Sequence, residues 1–114
     1  MTIQYKNSLD RTFHALGDES RRKILAMISH KQRCTAGELV DIFNVSQPTI
    51  SKHLKVLETA GLIVRHVKGR HHFFNLDIKG LKEADIWINR HLTFWENNLD
   101  RLGLFLDDET KETK

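Results

Sequence analysis

Val45-Ser46-Gln47-Pro48-Thr49-Ile50-Ser51-Lys52-His53-Leu54-Lys55-Val56-Leu57-Glu58-Thr59-Ala60-Gly61 is the stretch whose reading decides the fold. Ile50, Leu54 and Leu57 recur at i, i+4 and i+7, the apolar stripe of an amphipathic helix. Ser46 is placed to cap the first turn, and Pro48 falls where a missing N–H costs no helical hydrogen bond. Away from the stripe lie Gln47, Thr49, Ser51, Lys52 and Lys55, short hydrogen-bonding groups followed by two cations. This suits a helix that enters a DNA major groove tip first, with amides and hydroxyls at base edges and lysines at phosphates. An ordinary amphipathic surface helix has the same spacing, so the neighbouring segments decide.

Upstream, Thr35 and Glu38 spell a capping box, and Leu39, Val40 and Phe43 face one way, so a helix is predicted over Thr35 to Phe43. Asn44 and Val45 leave only a tight link to the Ser46 helix, and two short helices so joined make a helix-turn-helix. Downstream of Gly61, Leu62 to Val67 and His71 to Leu76 are β-prone runs bridged by Lys68-Gly69-Arg70. They predict a hairpin, in effect a wing, with Arg65, His66, Lys68, Arg70 and His71 lining its solvent side within reach of a phosphate or minor groove.

Two further helices precede this unit. Leu9, Phe13 and Leu16, stopped by Gly17, predict one over about Ser8 to Leu16. Asp18 then caps a second, whose Ile24, Leu25 and Ile28 face inward. Arg21, Arg22 and Lys23 crowd its first turn, where cations oppose the helix dipole. They need a compensating partner, either a carboxylate such as Asp18 or Glu19 or a backbone phosphate.

The last segment, 78–106, carries a helical stripe of Leu81, Ala84, Ile88, Leu92, Trp95, Leu99, Leu102 and Leu106, widened by Trp87, Phe94 and Phe105. That apolar surface exceeds what a 114-residue chain can cover, which predicts a two-fold homodimer. Leu9, Phe13, Ile88, Leu92, Trp95 and Leu99 are the expected dimerisation residues. A charged tail, 107–114, is expected to fray.

The fold class expected is mainly α with a small β-hairpin: a winged helix-turn-helix of about five helices in one domain, 1–114, with a long C-terminal dimerisation helix. The apolar share of 39% and charged share of 29% are those of a soluble globular protein, without an export or membrane segment, so a cytoplasmic location is expected. The net charge of +3 is unevenly placed. Residues 46–76 hold five Lys/Arg, one acid and four of the seven histidines, whereas 77–114 hold six Lys/Arg against nine acids. A basic middle suits a polyanion. The DNA-binding set expected is Ser46, Gln47, Thr49, Ser51, Lys52, His53, Lys55, Lys68 and Arg70. No Gly-rich phosphate loop, metal-ligand spacing or nucleophile with a nameable base supports an enzyme, and no cofactor is expected.

Phe13-His14-Ala15-Leu16-Gly17-Asp18 through Leu25, Glu38-Leu39, Ser46 through Leu57, Ala60-Gly61-Leu62-Ile63 and Lys68-Gly69-Arg70 together resemble the arsenic-repressor (ArsR) type of bacterial winged-helix regulators, over nearly the whole chain. The resemblance implies a homodimeric transcriptional repressor on a palindromic operator. Metal-sensing members carry Cys-x-Cys in the helix before the recognition helix, where this chain has Glu38-Leu39-Val40-Asp41-Ile42-Phe43. Others use an Asp-x-His pair on the last helix, with a later His and Glu. Here Asp85 is followed by Ile86 and Trp87, and His91 with Glu96 offers one imidazole and one carboxylate per helix. The resemblance therefore points to the metal-independent members, with no obligatory metal. Two alternatives stay open: a metal- or redox-responsive repressor using His66, His71, His91 or Cys34, and a protein-binding winged helix. His71 and His72, adjacent on a strand, are expected on opposite faces, a poor chelating geometry.

Overall fold

The computed structural model describes residues 7–110, with side chains through Arg101. Its elements run α1 (Ser8–Leu16), α2 (Glu19–Lys31), β1 (Arg33–Thr35), α3 (Ala36–Phe43), α4 (Gln47–Thr59), β2 (Ile63–Lys68), β3 (His71–Leu76) and α5 (Lys79–Thr110). Five helices and a small antiparallel sheet make the winged helix-turn-helix. The sheet is one strand larger than the expected hairpin, because β1 pairs with β3 and gives the order β1-β3-β2.

Each helix start is set by a side chain that satisfies an otherwise unpaired N–H. Asn7 Oδ1 accepts from Leu9 N at 2.7 Å, and Asp18 Oδ2 from Arg21 N at 3.1 Å. The α3 capping box closes in both directions: Thr35 Oγ1 accepts from Glu38 N at 3.1 Å, and Glu38 Oε1 from Thr35 N at 3.4 Å. Asn44, at φ 53°, ends α3 in the left-handed conformation, and its N–H donates to Val40 O at 2.9 Å. After Val45 alone, Ser46 caps the start of α4.

The cations of the first α2 turn find a further partner beside the carboxylates expected for them. Arg21 donates to the carbonyls of Ala15 (2.8 Å) and His14 (3.0 Å), and Arg22 to that of Leu16 (2.6 Å). They cap the C-terminus of α1, where unpaired carbonyls and the negative dipole end favour cations. Lys23 pairs with one of the expected carboxylates, Glu19, at 3.2 Å.

Ala15, Ile24, Ile28, Leu39, Ile50, Leu57, Leu62 and Phe74 are buried in one core that holds α4 by its apolar stripe. Leu57 is fully buried, so Leu57→Ala is expected to cost about 2–5 kcal/mol in lost burial and cavity. Gly80 brings the first turn of α5 against this core: a Cβ there would sit 2.9 Å from Leu62 Cδ2 and 3.2 Å from Thr12 Oγ1. Contacts group the chain into two compact units that part within α5, one ending at Ala84 and one beginning at Asp85. The helix continues through Thr110, so 107–110, expected in a frayed tail, are helical. Residues 111–114, the rest of that tail, and the side chains of Leu102, Phe105 and Leu106 lie outside the described residues.

Candidate nucleic-acid interface

Ser46 Oγ accepts from Thr49 N at 3.3 Å and lies 2.7 Å from Thr49 Oγ1, so the cap ties together two residues of the expected DNA-binding set. With its stripe buried and 3.6 residues per turn, α4 spreads its polar residues over three directions. Gln47 and Ser51 border a depression shared with Ala36, Leu54, Arg65, His72 and Phe74, on the side of the sheet. Thr49 and His53 border another, shared with Ser20, Lys23, Phe43 and Val45, on the side of α2. Lys52 and Lys55 are exposed. His53 is half-buried and close enough to Asp18 to help hold its carboxyl below the usual range, an effect led by the hydrogen bond from Arg21 N and opposed by desolvation.

In the wing, Ile63 faces Leu76, Arg65 faces Phe74 and Lys68 faces His71. Gly69, at φ 64°, leads the two-residue turn, a conformation that favours glycine. Side chains alternate along each strand, so Ile63, Arg65, Val67, His72, Phe74 and Leu76 share one face, and Val64, His66, Lys68, His71 and Phe73 the other. Arg65 is exposed, as expected, but on the other face of the hairpin from His66, Lys68 and His71. It lies on the face that holds buried Ile63 and Phe74, with its guanidinium carbon 5.1 Å from the Phe74 ring centre and Nη2 3.1 Å from Glu58 Oε1 on α4. His66, Lys68 and His71 take the opposite face, and Arg70 the turn; all four are exposed. His71 and His72 do lie on opposite faces.

The electrostatics follow from this pairing. Glu58 is the one acid of 46–76, and Arg65 engages it. Lys52, Lys55, Lys68 and Arg70 are exposed and outside the ion pairs of the described residues. A basic surface of α4 and the wing tip remains uncompensated.

Among the described residues no three His, Cys, Asp or Glu side chains gather in a way that suits a metal ion. Cys34 is fully buried in β1, its thiol 3.9 Å from Met27 O. Desolvation, followed by the nearby Glu38 charge, pushes the thiol pKa up, the opposite of the activation conceivable for a cysteine before a helix. His91 Nδ1 lies 2.8 Å from Trp87 O, and its ring stacks on Trp87 with centroids 4.2 Å apart. Of the expected dimerisation residues, Leu9 is half-buried and Phe13 partly exposed. Ile88, Leu92, Trp95 and Leu99 are all exposed, by 42%, 41%, 45% and 63%.

A family model described as "Bacterial regulatory protein, arsR family" matches residues 18–64, the segment from the α2 cap through α4 into β2. The transcriptional repressor SdpR of Bacillus subtilis (strain 168) is 33% identical over 91 residues, 80% of this chain and 100% of that protein. The chain belongs to the arsR family. The HTH-type transcriptional regulator Rv2034 of Mycobacterium tuberculosis is 35% identical over 106 residues, 93% of this chain and 95% of its own. Among solved structures, an ArsR-like transcriptional regulator from Rhodococcus sp. RHA1 superposes with a TM-score of 0.72 at 27% identity, covering 83% of this chain and 89% of that one. This arsR-family chain is thus a DNA-binding transcription regulator and not an enzyme. Among the described residues no helix is long and apolar enough to cross a membrane.

Proposed function

We propose that the chain is a cytoplasmic homodimeric repressor that binds a palindromic operator without a metal. α4 enters the major groove, where Gln47, Thr49 and Ser51 read base edges, while Lys52, Lys55, Lys68 and Arg70 hold phosphates. Ser46 fixes the helix start, and His53 supports the groove-facing turns from the α2 side. The observation that carries this reading is the set of exposed cations on α4 and the wing, Lys52, Lys55, Lys68 and Arg70, that take no part in the ion pairs of the described residues. Two copies joined through α5 would cover Ile88, Leu92, Trp95 and Leu99 and present two recognition helices to successive major grooves. The metal-free reading rests on the sequence of the usual ligand positions, with no cysteine in 38–43 and Trp87 where an Asp-x-His pair starting at Asp85 would need histidine.

The operator comes first, selected from random or genomic fragments with the purified protein. Gln47→Ala should then weaken operator binding by about 1–3 kcal/mol and leave random DNA little changed, because a lost base contact removes discrimination. Equal weakening on both DNAs would remove Gln47 from the reading set.

A further inference from the structure

Arg65 is the one cation of the α4–wing segment that is already engaged by protein groups. Its Nη2 lies 3.1 Å from Glu58 Oε1, its Nη1 is 3.5 Å from His72 Nδ1, and its guanidinium carbon is 5.1 Å from the centre of the Phe74 ring. Glu58 belongs to the last turn of α4, whereas Arg65 and its two ring neighbours belong to the wing. Between Glu58 and Arg65 the chain turns through Gly61 at φ 75°. The pair therefore closes a loop across the joint between recognition helix and wing, with Arg65 38% and Glu58 28% exposed. A planar guanidinium suits this task better than a lysine, since it can pair in its plane with a carboxylate while a face rests on an aromatic ring.

We propose that Arg65 is a positioning residue: the Glu58–Arg65 bridge sets the angle between α4 and the wing, and so the spacing between the groove-reading and phosphate-holding residues. The inference rests on the groove reading above. The rival role for Arg65 is a phosphate contact of its own, and Glu58→Gln separates the two by sign. Without the bridge, a phosphate-contacting Arg65 would be freed and a negative charge removed, so operator and random DNA would both bind more tightly. A positioning Arg65 predicts instead that operator affinity falls by about threefold per protomer, or about tenfold for a two-protomer complex, while random DNA binds as well as before or better. Arg65→Glu should lose operator discrimination, and Arg65→Glu with Glu58→Arg should recover it at the net charge of the wild type.

Amide hydrogen exchange of the free protein provides a readout that needs no DNA. Glu58→Gln should speed exchange in β2 and β3 near the turn and leave α2 unaffected. Unchanged wing exchange, or tighter binding to both DNAs, overturns the positioning role. Faster wing exchange in a protein whose wild type fails to discriminate operator from random DNA would overturn the groove reading and leave the bridge standing as a joint.

Discussion

Salt dependence offers a quantitative trial of the proposed DNA surface, because its magnitude follows from counting exposed cations. Lys52, Lys55, Lys68 and Arg70 are exposed and outside the ion pairs of the described residues, whereas Arg65 is engaged by Glu58. If each of the four neutralises one phosphate, a dimer releases counterions from about eight, and the slope of log affinity against log salt is about −7. A single protomer would give about −4. Between about 50 and 200 mM KCl the dimer should lose roughly ten-thousandfold in affinity, which is about 5–6 kcal/mol. Fluorescence anisotropy with a labelled operator duplex measures this directly. Arg70→Ala should make the slope shallower by about two, one for each protomer, on operator and random DNA alike. A slope near −4 with a dimer in solution would show that only half of these cations reach phosphates. An Arg70→Ala slope equal to the wild type would refute the placement of the wing on the backbone.

Three further expectations follow from other parts of the chain. Leu92→Glu or Trp95→Glu should convert a dimer to a monomer, since an unpaired charge in an apolar interface costs several kcal/mol; a wild-type monomer at tens of micromolar in light scattering would sink the dimer proposal. A chelator or added zinc should change operator affinity by less than about threefold in gel shift, and a tenfold response would reinstate a site built from His66, His71, His91 or Cys34. Acid should destabilise the fold through Asp18 and Glu38. The Arg21 N–H leads in lowering the Asp18 pKa; for Glu38, burial acts upward but is outweighed by hydrogen bonds from Lys31 and Thr35. Both carboxyls are depressed below ordinary values of 3.8 and 4.5, so their contribution is present above those values and is lost as pH falls through the lower folded ones. Urea midpoints that stay flat as pH falls from about 6 to 2.5 would contradict this.

The helices were legible because their signals are local. Ser46 with Pro48, and Thr35 with Glu38, mark helix starts within one turn of chain, and the Ile50-Leu54-Leu57 spacing marks the buried face. β1 was not legible. Arg33-Cys34-Thr35 is three residues long, too short for a period, and becomes a strand only by pairing with Asn75, Phe74 and Phe73 some forty positions later. Arg21 and Arg22 were recognised as needing partners, but the partners are main-chain carbonyls, which carry no side-chain signature. Arg65 is exposed but does not share a face with His66, Lys68 and His71, and the signal for this is in the sequence. Strand alternation from buried Ile63 sends Arg65 and the neighbouring His66 to opposite faces, and charge alone hid this. The base-reading roles proposed for Gln47, Thr49 and Ser51 depend on the shape of the DNA groove, which helical periodicity does not encode.

The arginine caps on α1 make the corner between α1 and α2 intolerant of changes in length. Acceptors at 14, 15 and 16 meet donors at 21 and 22 across Gly17 and Asp18, and Asp18 also caps α2. One residue inserted after Asp18 would rotate both guanidinium groups by about 100° around the α2 axis and carry them away from the α1 carbonyls. Relatives that keep this corner should therefore vary in side chains on either side of it while holding the Asp18 to Arg22 spacing fixed, and a length change there should accompany loss of the arginine pair.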